Sequence, residues 1–311
     1  MENFSRLRFR IALWFWAGWV VWLGWMILLG WGNCLEAGEP YQTTGGLFIY
    51  QDVKFFGEWR IQQNVWTGGF RLLDPQSVCY AEGSREACEA FWEKIRAERN
   101  IPPMSGRVLV FMHGFGSNRL MLQNLANWFR REGDYSAIIN ITYPSTMVGV
   151  LEESARVREI VAGLEGAEKI DFVGHSMGAI ILRHYLSHDP DTRVGRFVQL
   201  CPPNQGSQQA MDTKGGVLAP SALNDLGLDP LEMQERYGTP QCQIGIISGG
   251  TGTEEGFTDA LDKDDDYVIS VCDTYLNWST DWTMIPATHS EVPNTLETFQ
   301  LVKKFMNEGK F

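Results

Sequence analysis

The spacing of hydrophobic positions changes along this chain, and the changes divide it. Residues Ile11 to Trp31 form an uncharged apolar run behind Arg6, Arg8 and Arg10. A run of about 20 such residues is long enough to cross a bilayer as a helix, and leading arginines hold its N-terminus on the cytoplasmic side. Residues 1–37 are therefore expected to be a signal anchor or a signal peptide. Leu35-Glu36-Ala37 is a poor small-residue cleavage site, which favours the anchor. Past that point alternation takes over. Glu58 to Trp66 and Phe70 to Leu73 flank Thr67-Gly68-Gly69 and predict a hairpin. Ser84 to Asn100 has helical spacing, with Ala87, Phe91 and Ile95 on one face, and stops before Pro102-Pro103. Residues 38–104 are expected to form an N-terminal extension, a two-stranded start to the sheet plus a helix packed on the core.

From residue 105 to 311 continuous apolar runs alternate with amphipathic segments. Strands are predicted at Arg107–His113, Tyr135–Thr142, Lys169–His175, Arg196–Cys201, Gln243–Ser248 and Asp281–Ile285. Helices are predicted between them, through Trp128 to Arg131, over Leu151–Leu164, from Ala179 to Leu186 and over Leu296–Asn307. Runs that are apolar throughout are the mark of buried parallel strands, and the alternation implies an α/β, mostly parallel, doubly wound sheet with helices on both faces. Pro202 to Gln243 is loop-rich, with short helical pieces at Ser221–Leu226 and Pro230–Arg236, and Gly249 to Asp266 is an acidic loop.

Within that frame Lys169 to Gly178 reads strand, sharp turn, helix, with Gly174-His175-Ser176-Met177-Gly178 at the turn. Two glycines let strand and helix approach while the serine is pushed outward, so Ser176 is the candidate nucleophile. A serine hydroxyl needs an imidazole as base, and the imidazole needs a carboxylate to orient it. Of the five histidines only His289 follows the elbow in a loop after a late strand. The acid is sought among Asp262, Asp264, Asp265 and Asp266. Asp266 ranks first because it directly precedes the apolar segment Tyr267 to Val271, with Asp265 and Asp264 behind it. The oxyanion donors are expected to be the backbone N–H groups of Met177, after the nucleophile, and of Phe115, in the loop after the first core strand.

Composition removes other classes. A formal net charge of −12 argues against nucleic acid and anionic membrane surfaces as partners. Asp262, Asp264 and Asp266 alternate as in a calcium loop, but Tyr267 and Asp273 stand where that loop needs glycine and a bidentate glutamate. The six cysteines have no zinc spacing, so no metal and no cofactor is expected. Cys79 and Cys88 are placed to pair in an oxidising compartment, whereas Cys201, Cys242 and Cys272 read as small core residues.

Val110 to Gly116, Asp171 to Gly178, Cys201-Pro202-Pro203-Asn204-Gln205-Gly206-Ser207 and the Asp266 and His289 loops together resemble bacterial lipase and esterase-like α/β-hydrolases of the triacylglycerol lipase kind. The resemblance spans about residues 105 to 308. It implies the α/β-hydrolase fold and hydrolysis of a carboxylic ester, of lipid or small-molecule origin, through an acyl-enzyme on Ser176. Three positions depart from the pattern: Cys201 replaces a small polar residue, Ala179 a glycine, and Tyr267 the glycine that often follows the triad aspartate. An acyltransferase or amidase using the same triad, and a binding protein that kept the fold, are the alternatives. The N-terminal run would make the membrane a partner and put the catalytic part outside the cytoplasm, anchored, or secreted or periplasmic if the run is cleaved.

Overall fold

A computed structural model describes residues 39–213, 220–261 and 263–311 of the chain. The expected anchor or signal therefore lies outside the described residues. Among the described residues no helix is long and apolar enough to cross a membrane.

Residues 41–83 form five strands: β1 (Tyr41–Gln42), β2 (Tyr50–Phe56), β3 (Trp59–Asn64), β4 (Phe70–Leu73) and β5 (Val78–Gly83). They make an antiparallel sheet of their own in the order β1-β5-β4-β3-β2, so the two-stranded start to the main sheet is corrected. The hairpin pattern gave β3 and β4 their pairing. What it did not reveal was that β2 and β5 extend this ribbon on both sides instead of joining the parallel strands. Helix α1 (Arg85–Glu98), capped by the Ser84 side chain, covers the sheet with Trp92, Ile95 and Cys88 against Val53, Trp59, Ile61 and Leu72. Cys79 and Cys88 are free thiols, both near the Ala81 carbonyl.

The second sheet has six strands: β6 (Arg107–Met112), β7 (Ala137–Ile141), β8 (Lys169–His175), β9 (Val194–Leu200), β10 (Ile244–Gly250) and β11 (Asp281–Pro286). All neighbours are parallel, in the order β11-β10-β9-β8-β6-β7. After β6 the chain builds outward to β7 and then returns to place β8 on the other side of β6. Loops leaving the C-terminal ends of β6 and β8 diverge at that switch, and the crevice between them is where such sheets take their ligands.

Helices α2 (Gln123–Glu132), α3 (Val150–Ala162), α4 (Met177–His188), α5 (Gln208–Thr213), α6 (Ser221–Leu226), α7 (Pro230–Tyr237), α8 (Val271–Thr274) and α9 (Leu296–Glu308) complete the layers. Successive strand residues point to opposite faces, and the core divides accordingly. Val108, Val110, Met112, Ile139, Phe172 and Ile246 pack with α3 and α4. Leu109, Phe111, Ile138, Val173, Val198 and Ile247 pack with α2 and α9. Burying one such side chain contributes about 1.5–3 kcal/mol, so the two-faced burial sets both the register and the layers. Cys272 departs from the expected core position: Val271–Thr274 is a short surface helix and the thiol is exposed.

The antiparallel sheet is joined to the parallel-sheet part by polar groups. Asp52 is fully buried, and its carboxylate accepts from the Thr142 N–H at 2.6 Å and from Gln62 at 2.8 Å, with Arg60 at 3.4 Å. Burial pushes the Asp52 carboxyl up, against the pull of Arg60 and Arg119. Glu58 adds a pair with Arg130 at 2.8 Å.

Candidate functional site

The elbow follows from close packing. A Cβ added to Gly174 would lie 2.6 Å from the Ala179 Cα, and one added to Gly178 would strike the carbonyl oxygens of Met112 and His113. Only hydrogen fits at either position, so β6, β8 and α4 touch backbone to backbone. Ser176 between them adopts φ 55° and ψ −126°, a conformation that costs about 1–3 kcal/mol in a non-glycine residue. It is held by its N–H to the Leu200 carbonyl at 2.9 Å. The Ser176 side chain makes no capping hydrogen bond to α4, so its hydroxyl stays available above the helix N-terminus. Gly178→Ala is expected to destabilise the fold by about 3 kcal/mol, because the atoms it strikes are backbone and have nowhere to move. Thermal unfolding of the variant measures this; an unchanged Tm would mean that the elbow is looser than these contacts require.

His289 follows β11 and is clamped almost completely. Its Nδ1 lies 2.7 Å from Asp266 Oδ2, and its backbone N–H donates to the Asp266 carbonyl at 2.8 Å. Its own carbonyl accepts from His175 Nε2 at 2.9 Å. Asp266 is fully buried, and its Oδ1 accepts from the N–H groups of Val268 and Ile269 at 3.0 and 2.8 Å. Burial by itself would raise this carboxyl; the bonds from His289, Ile269 and Val268 outweigh it and hold the carboxyl below its ordinary value. Asp266 therefore presents a charged acceptor to Nδ1, which puts the imidazole proton on Nδ1 and leaves a lone pair on Nε2.

The neighbouring aspartates serve the loop instead. Asp264 accepts from the Thr251 N–H, the Thr251 hydroxyl and the Gly252 N–H, and Asp265 from the N–H groups of Tyr267 and Thr258. Asp262 lies outside the described residues. Tyr267, where the resemblance implies glycine, has φ 79°, so the backbone keeps the left-handed turn despite the side chain. Its ring stacks on Phe257 at 5.2 Å. Tyr267–Ser270 is thus a tight turn closing on Asp266, and α8 begins directly after it.

The loop after β6 approaches Ser176 at Gly114, whose Cβ, if present, would lie 2.7 Å from the Ser176 Cβ. Phe115 follows, half-buried, and Met177 is the first residue of α4. Three carbonyls of this loop are held from the end of β7: His113 by the Tyr143 hydroxyl at 2.6 Å, Ser117 by Ser145 at 3.1 Å and Arg119 by Asn140 at 3.0 Å. The His113 ring stacks on Tyr143 at 4.2 Å, and burial lowers its pKa to about 4, so it is neutral.

His175 went unassigned in the sequence, whereas Cys201, read as a small core residue, is fully buried in the core. His175 is the variable position of the elbow, and alternation along β8 turns it to the same face as Val173, beneath His289. Cys201 ends β9 as Ser176 follows β8, also in the left-handed region with φ 48°, and its buried thiol is pushed well up by burial and by Asp266. Among the described residues, His175, Cys201 and His289 are the group with donor atoms close enough to share a cation, all within 4.8 Å. His289 in that group is already committed to Asp266. A hollow of about 430 Å³ is lined by Lys263, Asp264, Val271, Cys272, Tyr275 and Trp282, and Ser176 is not among its lining residues.

Comparison with known proteins agrees with this architecture. A family model for palmitoyl protein thioesterases matches residues 108–239, a stretch that includes Ser176 and stops before Asp266 and His289. No curated protein matches the chain by sequence. Among solved structures, the Bacillus licheniformis lipase BlEst2 in its propeptide form superposes with a TM-score of 0.51 at 17% identity, over 62% of this chain and 49% of that one. The chain thus spans about half the length of that lipase form. The metagenomic carboxyl esterase MGS0156 gives 0.49 at 20% identity, over 64% and 71%. With its parallel sheet and its serine elbow, the chain has the fold of the α/β-hydrolases, and its residues 108–239 are similar to palmitoyl protein thioesterases.

Proposed function

We propose that the chain hydrolyses acyl esters through a covalent acyl-enzyme on Ser176. The Ser176 oxygen attacks the acyl carbonyl as its proton passes to His289 Nε2. Asp266 fixes the ring tautomer and stabilises the imidazolium. The oxyanion is received by the N–H groups of Met177 and Phe115. As the tetrahedral species collapses, the carbonyl–leaving-group bond breaks and His289 returns the proton to the departing alcohol. Water then repeats the sequence on the acyl-enzyme and releases the acid. What carries the reading is the 2.7 Å contact between His289 Nδ1 and a buried, charged Asp266, together with a serine in an elbow conformation.

A second reading makes the leaving group a thiol, and the thioesterase family match favours it. The attack is the same. A thiolate, with a pKa of about 8.5 for a free thiol, leaves with less help from the imidazolium than an alkoxide needs. The N-terminal apolar run further supports anchoring at a membrane, with the hydrolytic part extracytoplasmic.

The test is a panel of p-nitrophenyl esters from acetate to palmitate beside thioesters of the same acyl groups, assayed with the full chain. Hydrolysis in the ester series is the expected result. A preference for thioesters at every chain length would support the second reading. No turnover in either series would sink both, and would leave acyl transfer, amide cleavage or a binding role.

A further inference from the structure

The general base is held from below by the residue that precedes the nucleophile. His289 makes three hydrogen bonds through its N–H, Nδ1 and carbonyl, the first two to Asp266 and the third to His175. A backbone carbonyl accepts only, so His175 donates from Nε2 and is the Nε2–H tautomer. Its Nδ1 is then a lone pair, buried with no hydrogen-bond partner, in a side chain 3% exposed. The two rings lie 4.7 Å apart at 50°. An unpartnered buried nitrogen is costly, about 1–3 kcal/mol, and a hydrophobic residue at 175 would avoid that cost. Burial, and secondarily the nearby His289, lower the pKa of His175 to about 3. It therefore stays neutral and adds no repulsion when His289 takes up the serine proton.

We propose that His175 is a positioning residue for His289: its Nε2–H fixes the His289 main chain so that the imidazole edge left free of hydrogen bonds faces Ser176. The inference rests on the triad reading above. The tether joins positions 114 residues apart in sequence, one adjoining the nucleophile and the other bearing the base. It makes the distance between nucleophile and base depend on one side chain rather than on two independent loops. Asp266 fixes which nitrogen carries the proton; His175 fixes where the ring stands. A misplacement of about 1 Å costs about 100-fold in rate, so this is where a single hydrogen bond shows most in catalysis.

The experiment compares His175→Gln, His175→Asn and His175→Leu, each in the full chain, with and without His289→Ala. Glutamine reaches the place of Nε2 with a donor, whereas asparagine ends near Nδ1, one bond short. The readouts are kcat and KM on a p-nitrophenyl ester, the rate of fluorophosphonate labelling, and Tm. Expected are a fall in kcat of about 10- to 100-fold for Leu and Asn with KM within about twofold, and recovery of most of it by Gln. In the His289→Ala background the Leu change is expected to lower the residual rate no further. Gln no better than Asn, a Leu variant as fast as the parent, or an equal loss in the His289→Ala background would each overturn the proposal. If the Leu variant does not fold, the Gln–Asn contrast decides. Full activity of His289→Ala alone would instead sink the triad reading, an outcome distinct from the others.

Discussion

Ser176→Ala is expected to lower ester hydrolysis by about 10⁴-fold or more while leaving the fold and its Tm essentially unchanged. The nucleophile, base and acid act as a unit, so removing the oxygen that forms the covalent bond removes nearly all that the three contribute together. What survives comes from substrate binding and the oxyanion donors, about 10³- to 10⁴-fold over water in enzymes of this kind. The change should relieve the molecule, if anything, because the hydroxyl makes no capping bond to α4. The measurement is steady-state hydrolysis beside labelling with a fluorophosphonate, which should mark the parent at Ser176 and not the variant. Equal hydrolysis by both proteins would move the reaction away from the elbow. Loss of labelling without any substrate turning over in the parent would point to a binding protein that kept a reactive serine.

Asp266→Asn should cost nearly as much in kcat, about 10⁴-fold, with KM little changed. The asparagine fits the same space and can still accept from Val268 and Ile269. It meets His289 Nδ1 with an amide, however, which favours the tautomer whose proton sits on Nε2, facing the serine it should deprotonate. A pH consequence accompanies this. The Asp266 carboxyl is held below its ordinary value in the folded chain. Its contribution to stability is therefore fully present above the unfolded value of about 3.9, and is lost as pH falls through the lower folded value. The parent should lose stability on acidification through that window, and Asp266→Asn should lose less there while starting lower at neutral pH. Denaturant unfolding from pH 7 down to 3 checks the sign. An identical acid slope in the two proteins would mean that the carboxylate gains nothing from His289 on folding.

The antiparallel sheet shows where reading a sequence by period stops. β3 and β4 are joined by a Gly-containing turn, so their pairing is local and the turn specifies it. β2 and β5 have the same alternation, but which sheet an alternating strand joins depends on partners far along the chain. The buried Asp52 shows the decision: one of its carboxylate oxygens is met by the Thr142 N–H beyond β7 of the parallel sheet, about 90 residues away, and no local pattern announces that meeting. The apolar segment after Asp266 does not extend away from it either: Asp266 captures the N–H groups of Val268 and Ile269, and the chain turns.

Within the site, the elbow was legible because its demand is steric and contiguous. Glycine must stand where the Met112 and His113 carbonyls press on α4, and a serine between two such glycines has few other uses. The meeting of Asp266 with His289 was narrowed to a few aspartates by chain order but not resolved, because four carboxylates within one loop differ only in direction. Direction is set by which backbone N–H groups each oxygen captures, and Asp264 and Asp265 spend theirs on the loop itself. The contact of His175 with His289 was invisible, since alternation gives the face on which a side chain points but not what the facing loop presents. Sequence thus determined the α/β layering and the glycine-flanked serine elbow, both of which follow from local periodicity and contact between chain neighbours. Only the tertiary structure decided which acid meets the imidazole and what holds that imidazole in place, because hydrogen bonds between buried groups depend on approach to within about 3 Å from distant parts of the chain.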